Sequence, residues 1–384
     1  MTLKLLVTSP ICENKYGGPV QVIHDHLSHF YSCEDLGIKL LGVVDNLDVN
    51  FSQLSKFPHK FVRRQQPLSW SYSRDFGDVI VDLVRESDVV HSHMLWDYTT
   101  LSTYYAAYKS NRPMILSPHG SVSGAHRTNS LKKRIYKSLL LSSMLKRVPV
   151  IHALTENEAL DIRKFGFKGS IEVIPNGVSR QFLNSKSMAT SLIRDSFGLK
   201  NERVALFMGR LWKGKGLIEL IDAWGRLVLE DEVADWVLVL AGPDYRGFQS
   251  ILQNKIDANY LNDRIKIVDP CYGDRKLEIL DLCELFILPS NEEAFSMSII
   301  EAAARQKPVI YTTQCNFSEL SSFGAGWEIP NNAKALYEIL LDVLKRSETH
   351  LELCGEKGKK LITERYTQEI VGDALYALYA RVSI

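Results

Sequence analysis

Short apolar runs alternate along this chain with longer stretches in which apolar residues recur at helical spacing. The runs, bounded by turn residues, predict buried strands, and the stretches between them predict helices. The expected strands are 3–8, 39–44, 88–91 and 114–117 in the first half and 236–241, 265–268 and 285–288 in the second, with helices near 76–85, 247–259 and 276–281. Strands that alternate with helices are typical of a parallel sheet covered on both faces, so the pattern predicts an α/β protein with doubly wound sheets.

The alternation is interrupted by a polar run that is poor in apolar residues. We interpret residues 178–190 as a linker between a first domain at 1–177 and a second domain at 191–365. The chain has 384 residues, of which 45% are hydrophobic. That length and composition are enough to bury two separate cores.

Charge and cysteine content exclude several classes of protein. The chain has 46 basic and 45 acidic residues, so no overall field draws it to nucleic acid. Six cysteines without C-x-x-C spacing are typical of reduced thiols in a cytoplasmic protein. The first residues, MTLKLLVTSP, are too strand-like for a signal peptide, and no apolar run approaches the roughly 20 residues of a membrane span. We therefore expect a cytoplasmic protein that is soluble or peripheral.

The segment 289–310, PSNEEAFSMSIIEAAARQKPVI, places two carboxylates around the start of a helix. The helix is predicted from Ser296 to Arg305, which puts Glu293 at its mouth and Glu301 about a turn and a half inside. Both would border one crevice at the carboxyl ends of the strands, where such sheets bind ligands. Carboxylates there can accept hydrogen bonds from sugar hydroxyls. The alternative is a chance pair, because glutamate is common in helices.

Two further places could hold a phosphate. Gly17 and Gly18 lie between the first strand and the following helix, where backbone N–H groups can face an anion. In the second domain, Arg210 and Lys215 lie beside a predicted helix N-terminus, and two cations there suit a diphosphate. Each signal is weak alone, because glycine pairs are common in turns and cations are common on surfaces.

The histidines near strand ends are candidates for substrate contact. His119 lies between Pro118 and Gly120 after a predicted strand, so its imidazole is expected to project into the space between the domains. His91 and His93 are two residues apart on a strand and therefore share a face. A metal site would need a third ligand, which no spacing supplies, so we favour strand-end histidines near a cleft over a metal site.

The segment 289–310 closely resembles the signature of retaining glycosyltransferases of family four, in which two glutamates are separated by seven residues. The matching positions are Pro289, Ser290, Glu293, Phe295, Glu301, Ala302, Pro308 and Val309. One departure is Ala294, where the family usually has glycine at a close approach to the donor. Matches at the glycine pair, at SPHG, at P-N-G-V and at G-R-L…K-G extend the resemblance over nearly the whole chain.

The resemblance implies the GT-B fold, in which two Rossmann-like doubly wound domains face a central cleft and a terminal helix, here 366–384, crosses back to the first domain. The first domain would bind the acceptor and the second a nucleotide-diphosphate sugar, which is a substrate, so no cofactor is expected. The implied catalytic residues are His119, Arg210, Lys215 and Glu293. The implied donor-binding residues are Gly17, Gly18, Arg210, Lys215, Glu293, Ala294, Phe295, Ser296 and Glu301. Within this set, Glu293 would hold sugar hydroxyls and Glu301 the ribose. No strand-terminal D-x-D is present to bind a metal, which speaks against the metal-dependent alternative fold. The resemblance implies a retaining, metal-independent transfer.

Residues 98–155 contain nine Lys and Arg and no Asp or Glu. Lys132, Lys133, Arg134 and Lys137 cluster on one predicted helix, beside an apolar stripe formed by Leu131, Ile135, Leu139 and Met144. Such a helix can dock on an anionic membrane surface, which would suit a saccharide or lipid-linked saccharide acceptor. Equally, the stripe can be ordinary core and the charges solvated.

Two other functions remain open from the sequence. A non-hydrolysing sugar-nucleotide epimerase shares the architecture but needs its own acid and base. A catalytically silent sugar-binding protein is the second, although both cations and both glutamates of the transferase pattern are present. Neither the donor sugar nor the base can be read from the chain.

Overall fold

The computed structural model describes residues 2–48, 52–122, 135–184 and 190–383. The chain divides into two compact units. The first unit combines Met1–Gly177 with Gln368–Ile384, and the second is Val178–Thr367. Each unit is built on one parallel sheet, which confirms the predicted α/β fold class.

The sheet of the first unit has seven parallel strands in the order β3-β2-β1-β4-β5-β6-β7. The strands are β1 Leu3–Ser9, β2 Leu36–Val44, β3 His59–Arg63, β4 Val89–His93, β5 Met114–Ser117, β6 Val150–Ala153 and β7 Ser170–Val173. The helices are α1 Gly18–Phe30, α2 Arg74–Arg85, α3 Tyr98–Lys109, α4 Ser142–Arg147, α5 Glu156–Phe165 and, from the distant end of the chain, α15 Gln368–Val382.

Each face of this sheet packs against its own helices. In β1, Leu5 and Val7 join the core under α1 and α15, whereas Leu6 joins the core on the opposite face. Successive side chains of a strand point to opposite faces, so a strand buried on both sides becomes a continuous apolar run. Gly372 of α15 lies against the His29 ring of α1, and a Cβ at this position would approach the ring to 2.2 Å. The returning helix therefore packs closely on the first unit, as predicted.

The sheet of the second unit has six parallel strands in the order β10-β9-β8-β11-β12-β13. The strands are β8 Arg203–Met208, β9 Trp236–Ala241, β10 Ile265–Val268, β11 Leu285–Leu288, β12 Val309–Thr312 and β13 Gly326–Ile329. The helices are α6 Arg180–Leu183, α7 Ser191–Ser196, α8 Leu217–Leu229, α9 Phe248–Ala258, α10 Asp274–Leu282, α11 Met297–Ala304, α12 Ser318–Ser322, α13 Ala333–Val343 and α14 Glu348–Arg365. In both sheets the strand order reverses beside the first strand of the unit, which is where open α/β sheets bind ligands.

The predicted apolar stripe near the basic cluster is not continuous through the part that the structure describes. Ile135 and Leu139 are exposed, whereas Met144 is fully buried. A π-helical turn over Lys137–Leu141 precedes α4, and its wider hydrogen-bond spacing rotates the helix face that follows. Leu131, Lys132, Lys133 and Arg134 lie outside the described residues. Among the helices of the described ranges, none is both long and apolar enough to cross a membrane.

Candidate active site

Two loops meet at the carboxyl edge of the second sheet, where β8 and β11 are neighbours. Gly216, after β8, has φ +66°, and a Cβ on it would lie 2.0 Å from the Pro289 carbonyl oxygen after β11. The Asn291 N–H also donates to the Gly214 carbonyl at 2.8 Å. Only glycine permits both this backbone conformation and this approach. The glycine-rich loop therefore fixes the start of the loop that carries Glu293.

The Glu293 loop is held equally firmly on its other side by the residues that follow β12. The Glu293 N–H donates to the Gln314 carbonyl at 3.0 Å, and the Asn316 side-chain amide donates to the Glu293 carbonyl at 2.7 Å. Thr312 donates its hydroxyl to the Ser290 carbonyl. With its main chain bonded on both sides, Glu293 presents its carboxylate from a fixed position.

That carboxylate binds Lys215, so the structure brings together two of the predicted catalytic residues. Lys215 ends a short turn, Lys213–Lys215, directly before α8, and the two side chains are 17% and 14% exposed. The cation, the carboxylate and the N–H groups at the start of α8 thus lie together at the carboxyl edge of the sheet. Such a cluster offers positive charge for a phosphate and an acceptor for a hydroxyl.

Arg210 lies five residues before Lys215 on the same loop and is exposed. Its guanidinium lies 5.2 Å from the centroid of the Tyr245 ring, which in turn contacts the Trp212 ring at 6.1 Å. Trp212 covers Gly214, because a Cβ on Gly214 would approach the indole to 2.3 Å. The aromatic pair therefore supports both the glycine loop and the Arg210 side chain.

Glu301, the second carboxylate of the signature, is almost completely buried on α11. Its Oε1 accepts from Lys276 Nζ of α10 at 2.6 Å. The two signature glutamates therefore have different lysines as partners. Lys276 was missed by the sequence reasoning, because its partner lies 25 positions away and no periodic signal joins them.

The remaining donor candidates on this loop differ in what they can offer. The Phe295 ring is buried against Phe317 and Tyr366, with ring centroids 5.6 Å and 6.0 Å away. Its side chain therefore belongs to the core, and a donor contact at this position has to come from the main chain. Ala294 is partly exposed, and Ser296, the N-cap of α11, is buried.

In the first unit, α1 begins at Gly18, and Gly17 is its N-cap. Gly17 has φ +67° and ψ −124°, and its N–H closes the preceding turn onto the Asn14 carbonyl at 3.0 Å. A Cβ on either glycine would have no atom within 4 Å, so the space in front of the helix start is open. The Gly17 N–H is therefore used within the chain, whereas helix starts in general leave the N–H groups of the first turn without a partner in the helix.

Buried histidines form a directed hydrogen-bond chain across the ends of β4, β5 and β6. His152 Nε2 lies 2.7 Å from the Ile174 carbonyl and must donate to it. His152 Nδ1 therefore accepts from the Ser117 hydroxyl at 2.7 Å, Ser117 accepts from His91 Nε2 at 2.6 Å, and His91 Nδ1 accepts from the Tyr379 hydroxyl at 2.7 Å. The chain links helix α15 to the loop that carries His119.

His119 follows β5, and its ring packs against that of His93 at the end of β4. It is only partly exposed, its φ is +51°, and its Nε2 lies 2.7 Å from His93 Nδ1, with the two rings stacked at 5.0 Å. Burial and nearby His152 lower the pKa of His119 to about 3. His119 is therefore neutral at physiological pH and can exchange hydrogen bonds but cannot supply a positive charge.

The main chain after His119 is held by a glutamate that the sequence reasoning did not single out for this role. Glu158 accepts from the Gly120 N–H at 2.5 Å and from the Leu154 N–H at 2.7 Å. Burial raises the pKa of the Glu158 carboxyl. The Glu158 N–H donates to the N-cap Thr155 at 3.1 Å, and no sequence signal links Glu158 to the distant SPHG loop.

His91 and His93 share a face, as expected, with rings stacked at 4.4 Å. In the part of the chain that the structure describes, no group of three or more His, Cys, Asp or Glu side chains is arranged to hold a metal ion. Lys137, the member of the predicted basic cluster that falls in the described ranges, has its Nζ 4.0 Å from the centroid of the Phe165 ring.

Comparisons with known proteins match both halves of the chain. Residues 21–182 match the family model for Glycosyltransferase Family 4, and residues 190–361 match Glycosyl transferases group 1. Alpha-D-kanosaminyltransferase of Streptomyces kanamyceticus is 24% identical over 198 residues, which are 50% of this chain and 49% of that protein. The N,N'-diacetylbacillosaminyl-diphospho-undecaprenol alpha-1,3-N-acetylgalactosaminyltransferase of Campylobacter jejuni is 26% identical over 201 residues, 51% of this chain and 50% of that protein. The chain thus spans about half the length of these two relatives.

A solved structure extends the likeness over both units. The Anabaena protein HepE in complex with UDP-glucose superposes with a TM-score of 0.81 and 18% identity, covering 99% of this chain and 100% of that chain. At this level of identity the likeness concerns the fold.

Proposed function

We propose that this chain, which belongs to the group 1 and family 4 glycosyltransferases and has their GT-B fold, moves a sugar from a nucleotide-diphosphate sugar to an acceptor hydroxyl. The observation that carries the proposal is the Lys215–Glu293 pair at the start of α8. A donor of this class has a diphosphate that needs positive charge and a sugar that offers hydroxyl groups. Lys215 meets the first need and Glu293 the second.

Catalysis in this proposal rests on the charge that builds on the departing diphosphate. Lys215, Arg210 and the N–H groups at the start of α8 would stabilise that charge, and one such donor group typically contributes a few kcal/mol. Lys215 exchanges part of its contact with Glu293 for the diphosphate when the donor binds. Glu293 then accepts hydrogen bonds from the sugar.

We further propose that the transfer retains the anomeric configuration and that a leaving diphosphate oxygen takes the acceptor proton. Glu293, the carboxylate of the fixed loop, is neutralised by Lys215, so it is a poor nucleophile for a covalent intermediate. His119, being neutral, suits a hydrogen bond to a hydroxyl of the donor sugar or of the acceptor. Glu301 would hold the ribose.

The proposal is tested by incubating the protein with UDP-, GDP- and ADP-sugars and measuring nucleoside diphosphate release with and without EDTA. We expect release from one donor class, undiminished by EDTA, because cationic side chains and helix N-termini offset the diphosphate charge. Loss of turnover in EDTA that Mg²⁺ or Mn²⁺ restores would contradict metal independence. Epimerised nucleotide sugar without transfer would identify the epimerase, and nucleotide binding without turnover would identify a silent binding protein.

For the acceptor we propose a saccharide or lipid-linked saccharide, used in surface polysaccharide or glycolipid assembly close to an anionic membrane. The acid-free segment 98–155 and the exposed Ile135 and Leu139 support this choice. The Campylobacter relative is named for a diphospho-undecaprenol acceptor. Anionic lipid attracts each nearby Lys or Arg by about 1 kcal/mol, an effect that salt weakens.

The membrane proposal predicts co-sedimentation with anionic but not neutral liposomes, reduced by added salt. A variant with Gln at positions 132, 133, 134 and 137 should bind less. If wild type and variant co-sediment with anionic liposomes to the same extent, the basic cluster does not bind the membrane and its charges are only solvated.

A further inference from the structure

Helices α10 and α11 are joined by two ion pairs that differ in their access to solvent. Arg305, the residue directly after α11, binds Asp281 of α10 through two hydrogen bonds of 2.8 Å and 2.5 Å, and the two side chains are 5% and 6% exposed. Arg305 also donates to the Asn184 carbonyl. This inner pair is enclosed on both sides and ties the helices together. The outer pair, Lys276 with Glu301, is 25% exposed at the lysine and 3% at the glutamate.

In the outer pair, the Lys276 ammonium group is therefore partly exposed to solvent and covers the buried Glu301 carboxylate. Lys276 is the third residue of α10, and α10 begins just after the carboxyl end of β10. Its Nζ lies 5.4 Å from the centroid of the buried Phe182 ring, which limits its movement on one side. A ligand at this edge of the sheet meets the ammonium group before it meets Glu301. A lysine that only neutralised Glu301 could have been buried with it, as Arg305 is with Asp281.

We propose that Lys276 positions Glu301 and binds the ribose together with it, which makes the donor site select ribonucleotides; the proposal rests on the proposed function. Burial disfavours the charged form of a carboxylate, and a neighbouring cation favours it. Lys276 holds Glu301 Oε1 with one of its three N–H donors, which leaves the other two donors for the same ribose hydroxyls. A ribose hydroxyl placed here donates to Glu301 and accepts from Lys276, whereas a deoxyribose satisfies neither group.

The test measures, by calorimetry, the dissociation constants of the tightest-binding nucleoside diphosphate among UDP, GDP and ADP and of its 2′-deoxy and 3′-deoxy forms. For the wild type, we expect the dissociation constant of at least one deoxy form to be about tenfold or more above that of the ribonucleotide, because hydrogen bonds to charged groups are strong. The ratio of these two dissociation constants is the measure of ribose selectivity. Lys276→Met should reduce this ratio to below about threefold, and Lys276→Arg should retain most of it.

The control is Lys255→Met. Lys255 forms an ion pair of the same length, 2.6 Å, with Asp222, and its side chain is also 25% exposed. This variant loses a comparable ion pair on α9, so its ratio should equal that of the wild type. If Lys276→Met does not fold, the double variant Lys276→Met/Glu301→Gln removes both charges of the pair. Its ratio should match that of Glu301→Gln alone, because the two residues act as one unit.

The outcomes separate this inference from the proposed function. A wild type that binds none of the three nucleoside diphosphates overturns the proposed function and the inference with it. A wild type that binds a nucleotide without preferring ribose overturns the inference alone. So does a Lys276→Met protein, or a double variant, that keeps the wild-type ratio.

Discussion

Lys215 and Glu293 meet although 78 positions separate them in the chain, because β8 and β11 are neighbours in the sheet. Each strand ends at the same edge, so the residues that follow both strands are brought side by side. Lys213 lies on the same turn as Lys215, but its side chain is exposed, whereas that of Lys215 is paired with Glu293. Variants of Lys215 and Lys213 can therefore distinguish the loss of the ion pair with Glu293 from the loss of any positive charge on this turn.

Replacing Lys215 by Ala should lower kcat by about 100-fold or more, because the lysine stabilises charge that is fully developed only in the transition state. Steady-state kinetics with saturating donor measures this, and thermal unfolding checks that the fold persists. Lys213→Ala is the control, with an expected change below about threefold. The assignment fails if Lys215→Ala retains the wild-type kcat or if both variants lose activity equally.

The sequence allowed individual site residues to be predicted, but not the residues with which they form ion pairs. Glu293 and Lys215 stand in recognisable motifs, so both could be named from the chain. Their contact could not, because it depends on strand order, which local pattern does not fix. Lys276 has no motif at all and is an ordinary cation in the first turn of a helix until the fold brings Glu301 to it.

At the scale of elements, the sequence predicts best where burial is complete. Strands such as β5, β9 and β11 are buried on both faces, so their apolar runs are continuous and their bounds are those expected. The edge strand β3 was missed, because only Val62 of its five residues is buried. Helix α3 was missed because its buried face consists largely of Thr and Ala, which gives little contrast with its exposed face.

The hydrogen-bond chain of buried histidines joins several strands and a helix, and it could not be predicted from the sequence. His91 and Tyr379 are 288 positions apart, and each alone looks like a residue of an ordinary strand or helix. The tautomers become defined only when the Ile174 carbonyl fixes one end of the chain. Neutral histidines buried in this way depend on the structure around them for their charge state.

At the scale of the whole molecule, the two units differ in their response to acid. Every histidine except His350 belongs to the first unit. Burial lowers the pKa values of five of them, to about 4 for His152 and about 3 for His119, and well below the ordinary value for His26, His91 and His93. The unfolded chain binds protons near pH 6.5, so the stabilising contribution of these neutral histidines is complete above that pH and is lost as pH falls toward the folded values.

We therefore expect the first unit to unfold before the second as pH falls from 6.5 to 4. Each buried histidine contributes about 1.4 kcal/mol per pH unit to the loss over its own range. Burial raises the pKa of Asp97 to about 6 and also raises that of Glu158, so these two groups oppose the loss, but five histidines outweigh them. Hydrogen exchange followed by mass spectrometry should show early loss of protection in β4, β5 and β6, with β8 and β9 as the internal control. Simultaneous loss in all five strands would contradict the prediction.

The first unit is assembled from two separate parts of the chain, and this determines the order in which the units can be completed during synthesis. All of residues 178–367 leave the ribosome before α15 does, so the second unit can be finished while the first still lacks a helix. Until then, the apolar side chains of α1 that α15 covers, among them Ile23, Leu27 and Phe30, face water. The nascent protein thus passes through a stage with one finished unit and one open core, and α15 closes that core only after about half of the chain has been made in between.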